Sequence, residues 1–500
     1  MDEHGPFRGL DVTCVLRQRP TSPDSVIVRV RPCKSVSVRV ISFMMRVHFI
    51  AIGGAVMHNL ALALQSKGMT VTGSDDEISE PSRSRLAAAG LLPSSPGWHP
   101  ERITGELDAV ILGMHARADN PELLRARSLG IRIFSFPEFM YDQTRDRLRV
   151  VIGGSHGKTT ITSLIMHVLR TCGRTFDYLV GAQLDGFSTM VGLNQDSRLA
   201  VFEGDEYLTS ALDPRPKFLL YRPNIAVISG IAWDHVNVFP TWELYRRQFE
   251  DFVRSLEPDA VLVFNQEDQE VGRLLGRLQG PSRRIGYATL PYRVDEEGRF
   301  RLDTDQGLIR VSLLGRHNMQ NLGAARAVCR ELGISDPEFY EAVGCFQGAA
   351  RRLTLLASNE TAAVYLDFAH SPSKVMATTR AVKEAFPSRH LVACLELHTF
   401  SSLTSDFLSQ YRGSMGEADE ALVYFDPDAV RHKKLDPLEP DRIRQAFDIA
   451  GLRVFDKLDV LVGHLKNLSW HNSTLLLMSS GTFSGLDTTA LARELLDSPQ

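Results

Sequence analysis

A glycine-rich turn, GGSHGKTT, occupies residues 153–160, between an apolar stretch and an amphipathic one. Those residue types in that order suit a polyanion. Glycines let successive backbone N–H groups turn toward a phosphate, and a helix starting there adds partial positive charge. Lys158 is placed to reach terminal phosphates, and the Thr159 hydroxyl to ligand magnesium. The spacing is shorter than G-x-x-x-x-G-K-[ST], because Ile152 stands where the first glycine belongs. Gly154, Ser155, His156, Gly157, Lys158, Thr159 and Thr160 are therefore candidate nucleotide-binding residues. Glu203-Gly204-Asp205-Glu206 ends another apolar run, and acids at such a position can hold a hard cation through oxygen; a solvated acidic loop is the alternative. Asp234-His235 follows a third apolar run in the same way, with a purely structural histidine as its alternative.

Two weaker signals flank this region. Gly53-Gly54 has the form of a dinucleotide-type turn, but Met57 or His58 stands where a third glycine belongs. Asp75-Asp76 follows the next apolar run and suits a nucleotide's hydroxyls, as a simple loop also would. Arg351-Arg352 lies where the pattern changes again. It reads either as solvated linker charge or as a clamp on a terminal phosphate.

The elements that must carry these residues alternate between strand and helix, which predicts an α/β fold with parallel sheets covered by helices. Strands are expected at 46–52, 70–73, 108–112 and 131–134, with a helix over 58–67. A second unit has strands at 148–152, 199–202, 225–229 and 260–264, and helices at 161–169 and 321–331. A third has strands at 363–366, 391–395, 421–425 and 474–478. Three units in series result: 45–146, 147–349 and 350–500. Residues 1–44, with scattered Arg, Pro and Ser, read as a disordered extension or as a start assigned too early, with Met45 the true start.

Five hundred residues exceed one hydrophobic core, in keeping with several domains. The net charge of −4 argues against bulk binding to nucleic acid or an anionic membrane surface. The apolar stretch 38–57 is interrupted by Arg39, Arg46 and His48, so no membrane insertion is expected. Six scattered cysteines form no C-x-x-C pair and fit a reducing compartment.

Six motifs stand together: GGSHGKTT (153–160), FEGDEY (202–207), ISGIAWDH (228–235), GRHNMQN (315–321), AARRL (349–353) and DFAHSP (367–372). In this order and spacing the chain resembles the Mur ligase family from Arg46 onward. The resemblance implies a Rossmann-like UDP-binding domain, a central P-loop ATPase-like domain and a C-terminal Rossmann-like domain. It implies a cytoplasmic, ATP- and Mg2+-dependent ligase that joins an amino acid or tripeptide to UDP-N-acetylmuramate through an acyl phosphate. Carried over residue by residue, it makes Lys158, Glu203, His235 and Arg352 catalytic. Thr159 and Glu203 would hold one magnesium and His235 a second. His317 and Asn318 would lie along adenine and ribose, Arg352 at the γ-phosphate, and Asp367 at the nucleotide. Gly53, Gly54, Ser74, Asp75 and His370 would touch the substrates.

Gly-Asp-Glu-Tyr at 204–207 resembles the murein peptide ligase branch, which uses L-alanyl-γ-D-glutamyl-meso-diaminopimelate in cell-wall recycling. Two departures fall in the unit expected to receive the amine: Glu396-Leu397-His398-Thr399-Phe400 replaces Glu-Pro-Arg-Ser-Asn, and Ser371 replaces a second histidine. Competing readings are an L-alanine ligase on the same sugar acceptor, a non-catalytic UDP-sugar or nucleotide-binding regulator, and a ligase acting on another carboxylate such as a folate.

Overall fold

The apolar runs pair as parallel strands, because each is followed by a helix that carries the chain back across the sheet. A computed structural model describes residues 45–497 apart from 115, 211, 237, 282 and 350. The expectations for residues 1–44, Cys14 and Cys33 lie outside the described residues. The first sheet has the spatial order Thr70–Ser74, Arg46–Ile50, Ala109–Leu112, Arg132–Ser135, all parallel. The helix Ala55–Ser66 packs Met57, Leu60, Ala61 and Leu64 beneath it, the spacing of one helical face.

The central sheet runs Arg283–Tyr287, Val261–Asn265, Ile225–Ile228, Leu148–Gly153, Leu199–Glu203, Asp177–Leu179, Val191–Gly192. Its pairings are parallel except at the last edge, where Asp177–Leu179 and Val191–Gly192 form an antiparallel hairpin. Val150, Val151 and Ile152 are fully buried, as a strand covered on both faces requires. The helix Lys158–Thr171 turns Ile161, Leu164, Ile165, Val168 and Leu169 inward, where they share a core with Met319, Leu322, Ala325 and Val328 of the helix Arg316–Glu331. The third sheet runs Thr354–Ser358, Ala363–Asp367, Ser473–Met478, His390–Leu397, Glu420–Phe425, Arg453–Phe455, with the first strand antiparallel and the rest parallel.

The expected strands are present, with ends shifted by a residue or two, and three differences have physical causes. The helices expected at 161 and 321 begin at Lys158 and Arg316. Their first turns are polar, so hydrophobic periodicity starts late. A three-stranded antiparallel sheet, Tyr292–Val294, Phe300–Thr304 and Gly307–Val311, was not expected. Its signal was the alternation of Phe300 and Leu302 inward with Arg301 and Asp303 less buried, between glycine turns at Gly298 and Gly307. The third unit also carries the antiparallel edge strand Thr354–Ser358, which strand and helix alternation does not announce.

The third sheet is tied to its linker by one carboxylate. Asp367 is buried; its Oδ2 accepts from the Leu353 N–H at 2.7 Å, and its Oδ1 from the Ala369 N–H at 2.8 Å and the Thr378 hydroxyl at 3.1 Å. Asp367→Ala removes all three bonds, and charge-assisted bonds contribute roughly 1.5–3 kcal/mol each. A destabilisation on the order of 3 kcal/mol is expected, read as a lowered midpoint in thermal or denaturant unfolding; an unchanged midpoint would contradict the assignment.

Candidate active site

Three neighbouring strands of the central sheet deliver the chemistry-bearing residues to one edge. Leu148–Gly153 lies between Leu199–Glu203 and Ile225–Ile228, with Ile152 opposite Glu203 and Gly153 opposite Ile228. Beyond their carboxyl ends come the Gly154–Thr160 loop, the 203–206 acids and Asp234-His235, where ligands of parallel sheets gather. The loop needs its glycines. Gly154 has φ 133° and a Cβ there would come within 2.0 Å of Ser229 Oγ; Gly157 has φ 78° and a Cβ there would come within 2.3 Å of Asn321 Oδ1.

Lys158 Nζ donates to Gly154 O and to Glu206 Oε2, each at 2.7 Å. Glu206 is fully buried, so its charge must be matched. Its Oε1 accepts from the Tyr245 hydroxyl at 3.0 Å and lies 3.8 Å from His235 Nε2. The Tyr245 and Ser155 hydroxyls are 2.6 Å apart, and Ser155 Oγ accepts from the Ala232 N–H at 2.8 Å. Burial opposes the charge on Lys158, but the carboxylates of Glu206, Asp205 and Glu203 outweigh it and raise the ammonium's pKa.

A second cluster centres on Thr159. Its hydroxyl donates to Glu203 Oε1 at 2.9 Å and accepts from Arg352 Nη2 at 3.0 Å. Glu203 Oε2 accepts from the Gly181 N–H at 2.7 Å. Burial first, then Asp205, raises the Glu203 pKa. Arg352 also lies over the Phe368 ring, 4.5 Å from its centroid, whereas the adjacent Arg351 turns to the carbonyls of Ser479 and Gly481.

The other expected residues fall into place around these. His156 is pushed down to about 4 by burial and by the charges of Lys374 and Lys158, and its Nδ1 is buried without a hydrogen-bond partner. Thr160 is buried in the first turn of its helix. His317 lies in the first turn of the neighbouring helix, and burial lowers its pKa. Asn318 Nδ2 donates to Leu314 O at 2.9 Å, and its Oδ1 accepts from Asn321 Nδ2 at 3.1 Å, so Asn318 orders the turn beneath the loop. Asp367 has both oxygens engaged within its own unit and faces the site through Arg352. His370 is buried beside Asp234 and Lys374, its Nδ1 at 2.8 Å from Phe368 O, and burial with Lys374 pushes it down to about 3.

Tyr245, Asn321 and Lys374 were not singled out as site residues, and Glu206 was named only within the acidic segment 203–206. Glu206 and Asn321 sit inside the quoted motifs. Lys374 pairs with Asp234 at 3.2 Å across the two units, and no sequence signal linked them.

The loop fits a polyphosphate. No side chain caps the helix Lys158–Thr171, so its first-turn N–H groups are left for an anion, with Lys158 and Arg352 beside them. Magnesium fits the hard oxygens of Thr159 and Glu203. Among the described residues no group of three His, Cys, Asp or Glu is placed to hold a metal ion. A carboxylate and a hydroxyl would be protein oxygens for such an ion, the rest of whose shell phosphate and water would supply.

Residues 46–147 match the Mur ligase family, catalytic domain, and residues 152–329 the Mur ligase middle domain. A UDP-N-acetylmuramate–L-alanine ligase of Arthrobacter sp. strain FB24 is 32% identical, over 77% of this chain and 82% of that protein. The chain belongs to the Mur ligase family. It is an ATP-dependent ligase that forms an amide bond, as Mur ligases are, and it acts in peptidoglycan synthesis. Among solved structures, the UDP-N-acetylmuramate:L-alanyl-γ-D-glutamyl-meso-diaminopimelate ligase from Neisseria meningitides is 26% identical, with TM-score 0.55, over 62% of this chain and all of that one. The UDP-N-acetylmuramate–alanine ligase from Thermotoga maritima has TM-score 0.65 at 22% identity, over 91% of this chain and 98% of that one, and shows the shared three-domain fold.

This Mur ligase carries a further cavity of about 890 Å³ on its first sheet, lined by Gly53, Gly54, His58, Asp75, Arg85 and Trp98 among others. The Gly53 N–H donates to Asp75 Oδ2 at 2.7 Å, and a Cβ at Gly53 would meet that oxygen at 2.9 Å. Asp76 also lines the cavity. Ser74 is fully buried and does not line it. Among the described residues no helix is long and apolar enough to cross a membrane.

Burial, with Asp76 adding to it against the Gly53 hydrogen bond, pushes the Asp75 carboxyl up to about 6. A carboxyl raised above its unfolded value favours folding fully below the unfolded pKa of roughly 3.9, and that contribution is lost as pH rises through about 6. The Tm difference between Asp75→Asn and wild type should therefore grow in favour of the variant from pH 4 to 7. A difference independent of pH would contradict this.

Proposed function

We propose that this Mur ligase joins L-alanyl-γ-D-glutamyl-meso-diaminopimelate to the carboxylate of UDP-N-acetylmuramate, using ATP and Mg2+, in the cytoplasm during peptidoglycan recycling. The observation that carries the phosphoryl-transfer part is the convergence of Lys158, Arg352 and Glu203 on one loop: Arg352 and Glu203 meet at Thr159, and Lys158 starts the same helix. Transfer of a phosphoryl group to a carboxylate brings two anions together, and fixed cations on the loop favour that approach.

In this reading Lys158 and the loop N–H groups hold the phosphates, and Arg352 contacts the γ-phosphate. Thr159 and Glu203 hold a magnesium, which supplies charge neutralisation. His235, beside Glu206, supports a second one. His317 and Asn318 lie along the adenosine. The acceptor carboxylate attacks the γ-phosphorus and ADP leaves, giving an acyl phosphate; the incoming amine attacks its carbonyl carbon, loses a proton, and inorganic phosphate leaves as the amide forms. The acceptor's uridine diphosphate lies in the first-sheet cavity near Gly53, Gly54 and Asp75, and the amine enters near His370. Residues 45–146, 147–349 and 350–500 are the acceptor, ATP and amine domains of this scheme.

The tripeptide is favoured by Gly-Asp-Glu-Tyr at 204–207 and by the likeness to the Neisseria meningitides ligase. L-Alanine is the second reading, favoured by the name of the Arthrobacter relative and by the absence of Arg at 398. ADP release with UDP-N-acetylmuramate and a panel of amines separates them: the tripeptide should support turnover well above L-alanine, and the reverse would establish the second reading. Lys158→Ala should lower that turnover by on the order of 10³-fold, as loss of a phosphate-facing donor does. Near-native turnover by this variant would contradict its role.

A further inference from the structure

The first-sheet cavity and the Glu203 carboxylate are joined by a continuous line of polar contacts. Asn59, in the helix Ala55–Ser66, is fully buried, and its Oδ1 accepts from the Met190 N–H at 3.0 Å. Its Nδ2 donates to Ala55 O at 2.7 Å, which fixes the amide's orientation. Arg85, on the cavity wall, donates from Nη2 to Ser188 O at 2.5 Å. Ser188 and Met190 belong to the loop of the hairpin Asp177–Leu179 and Val191–Gly192, and the Val180 N–H donates to Met190 O at 3.0 Å to close its base. The next residue, Gly181, donates its N–H to Glu203 Oε2. A Cβ at Gly181 would stand 2.8 Å from Glu203 Oε1, so glycine is what lets the backbone approach this carboxylate so closely. Glu203 continues through Thr159 to Arg352.

We propose that Asn59 and Arg85 are positioning residues that couple the cavity to Glu203 through this hairpin. The inference rests on the reading of the cavity as the acceptor nucleotide-sugar site. A ligand in the cavity bears on Arg85 and Met190, which shifts the hairpin loop and with it the Gly181 N–H that orients Glu203. The carboxylate takes up its metal-holding position when the acceptor is in place, which limits phosphate transfer to water. Coupling between two binding sites is reciprocal, so nucleotide also tightens acceptor by the same factor.

The test is calorimetry on the full chain. UDP-N-acetylmuramate is titrated with and without magnesium and a non-hydrolysable ATP analogue. In the wild type the analogue should tighten acceptor binding by roughly 5- to 150-fold, the usual range of such coupling. Asn59→Ala should bring that ratio toward one. Arg85→Ala should reduce the ratio as well, and serves if Asn59→Ala does not fold. A variant that merely loosens the helix lowers both affinities and leaves their ratio unchanged. Wild-type coupling near one, or a wild-type ratio retained in Asn59→Ala and Arg85→Ala, overturns the inference. Absence of UDP-N-acetylmuramate binding to the folded wild type overturns instead the reading of the cavity on which it rests.

Discussion

Glu206 has no access to water, and a buried carboxylate persists only where cations and hydrogen-bond donors surround it. Lys158 and Tyr245 meet that demand directly, and His235 stands close by. This one ion fixes the Lys158 side chain over the loop and takes the Tyr245 hydroxyl proton, which leaves the Tyr245 oxygen to accept from Ser155. His235 lies at φ 55°, a left-handed conformation uncommon outside glycine, and Asp234 holds it by accepting its N–H at 2.8 Å. The charges balance because three strand ends are adjacent. Had another strand intervened between Leu148–Gly153 and Leu199–Glu203, Glu203 and Glu206 would have lost their partners on the loop.

The third unit adds to this arrangement through polar ties, among them the Ser401 hydroxyl, which accepts from the Val236 N–H at 3.3 Å. Arg352 reaches Thr159 and Lys374 reaches Asp234. Adjacent arginines have different fates because the linker backbone turns sharply. Arg351 and Leu353 take φ values of 58° and 50°, which sends Arg351 to the third unit's own carbonyls and Arg352 to the phosphate loop. Asp367 makes that turn reproducible by gripping the Leu353 N–H, so its influence on the nucleotide site runs through the linker's geometry.

The phosphate loop was legible because its chemistry is local. Glycines, a lysine and a threonine between a strand and a helix suffice to specify a backbone nest, and steric contacts from Ser229 and Asn321 explain why glycine stands at 154 and 157. The first turns of the helices at Lys158 and Arg316 were less legible, since polar residues break hydrophobic periodicity at the point where the helix begins. The antiparallel meander of 292–311 was obscured by its charged, half-buried strands. Ser74 illustrates the opposite error: an invitingly placed hydroxyl at a strand end is fully buried and does not line the cavity that Asp75 and Asp76 line.

By itself the sequence determined the alternation of strand and helix, three of the four sheets, the family, and the motifs that surround a nucleotide, because each depends on short-range periodicity or on residues a few positions apart. Tertiary structure alone decided that Lys158 pairs with Glu206 rather than Glu203, that Lys374 meets Asp234 across 140 positions, and that Asn59 touches the hairpin 131 positions away. Those partners are chosen by strand order and by how far each side chain reaches from its sheet. No local pattern encodes either, since the free energy of a buried charge or amide depends on what the rest of the chain places within hydrogen-bonding distance.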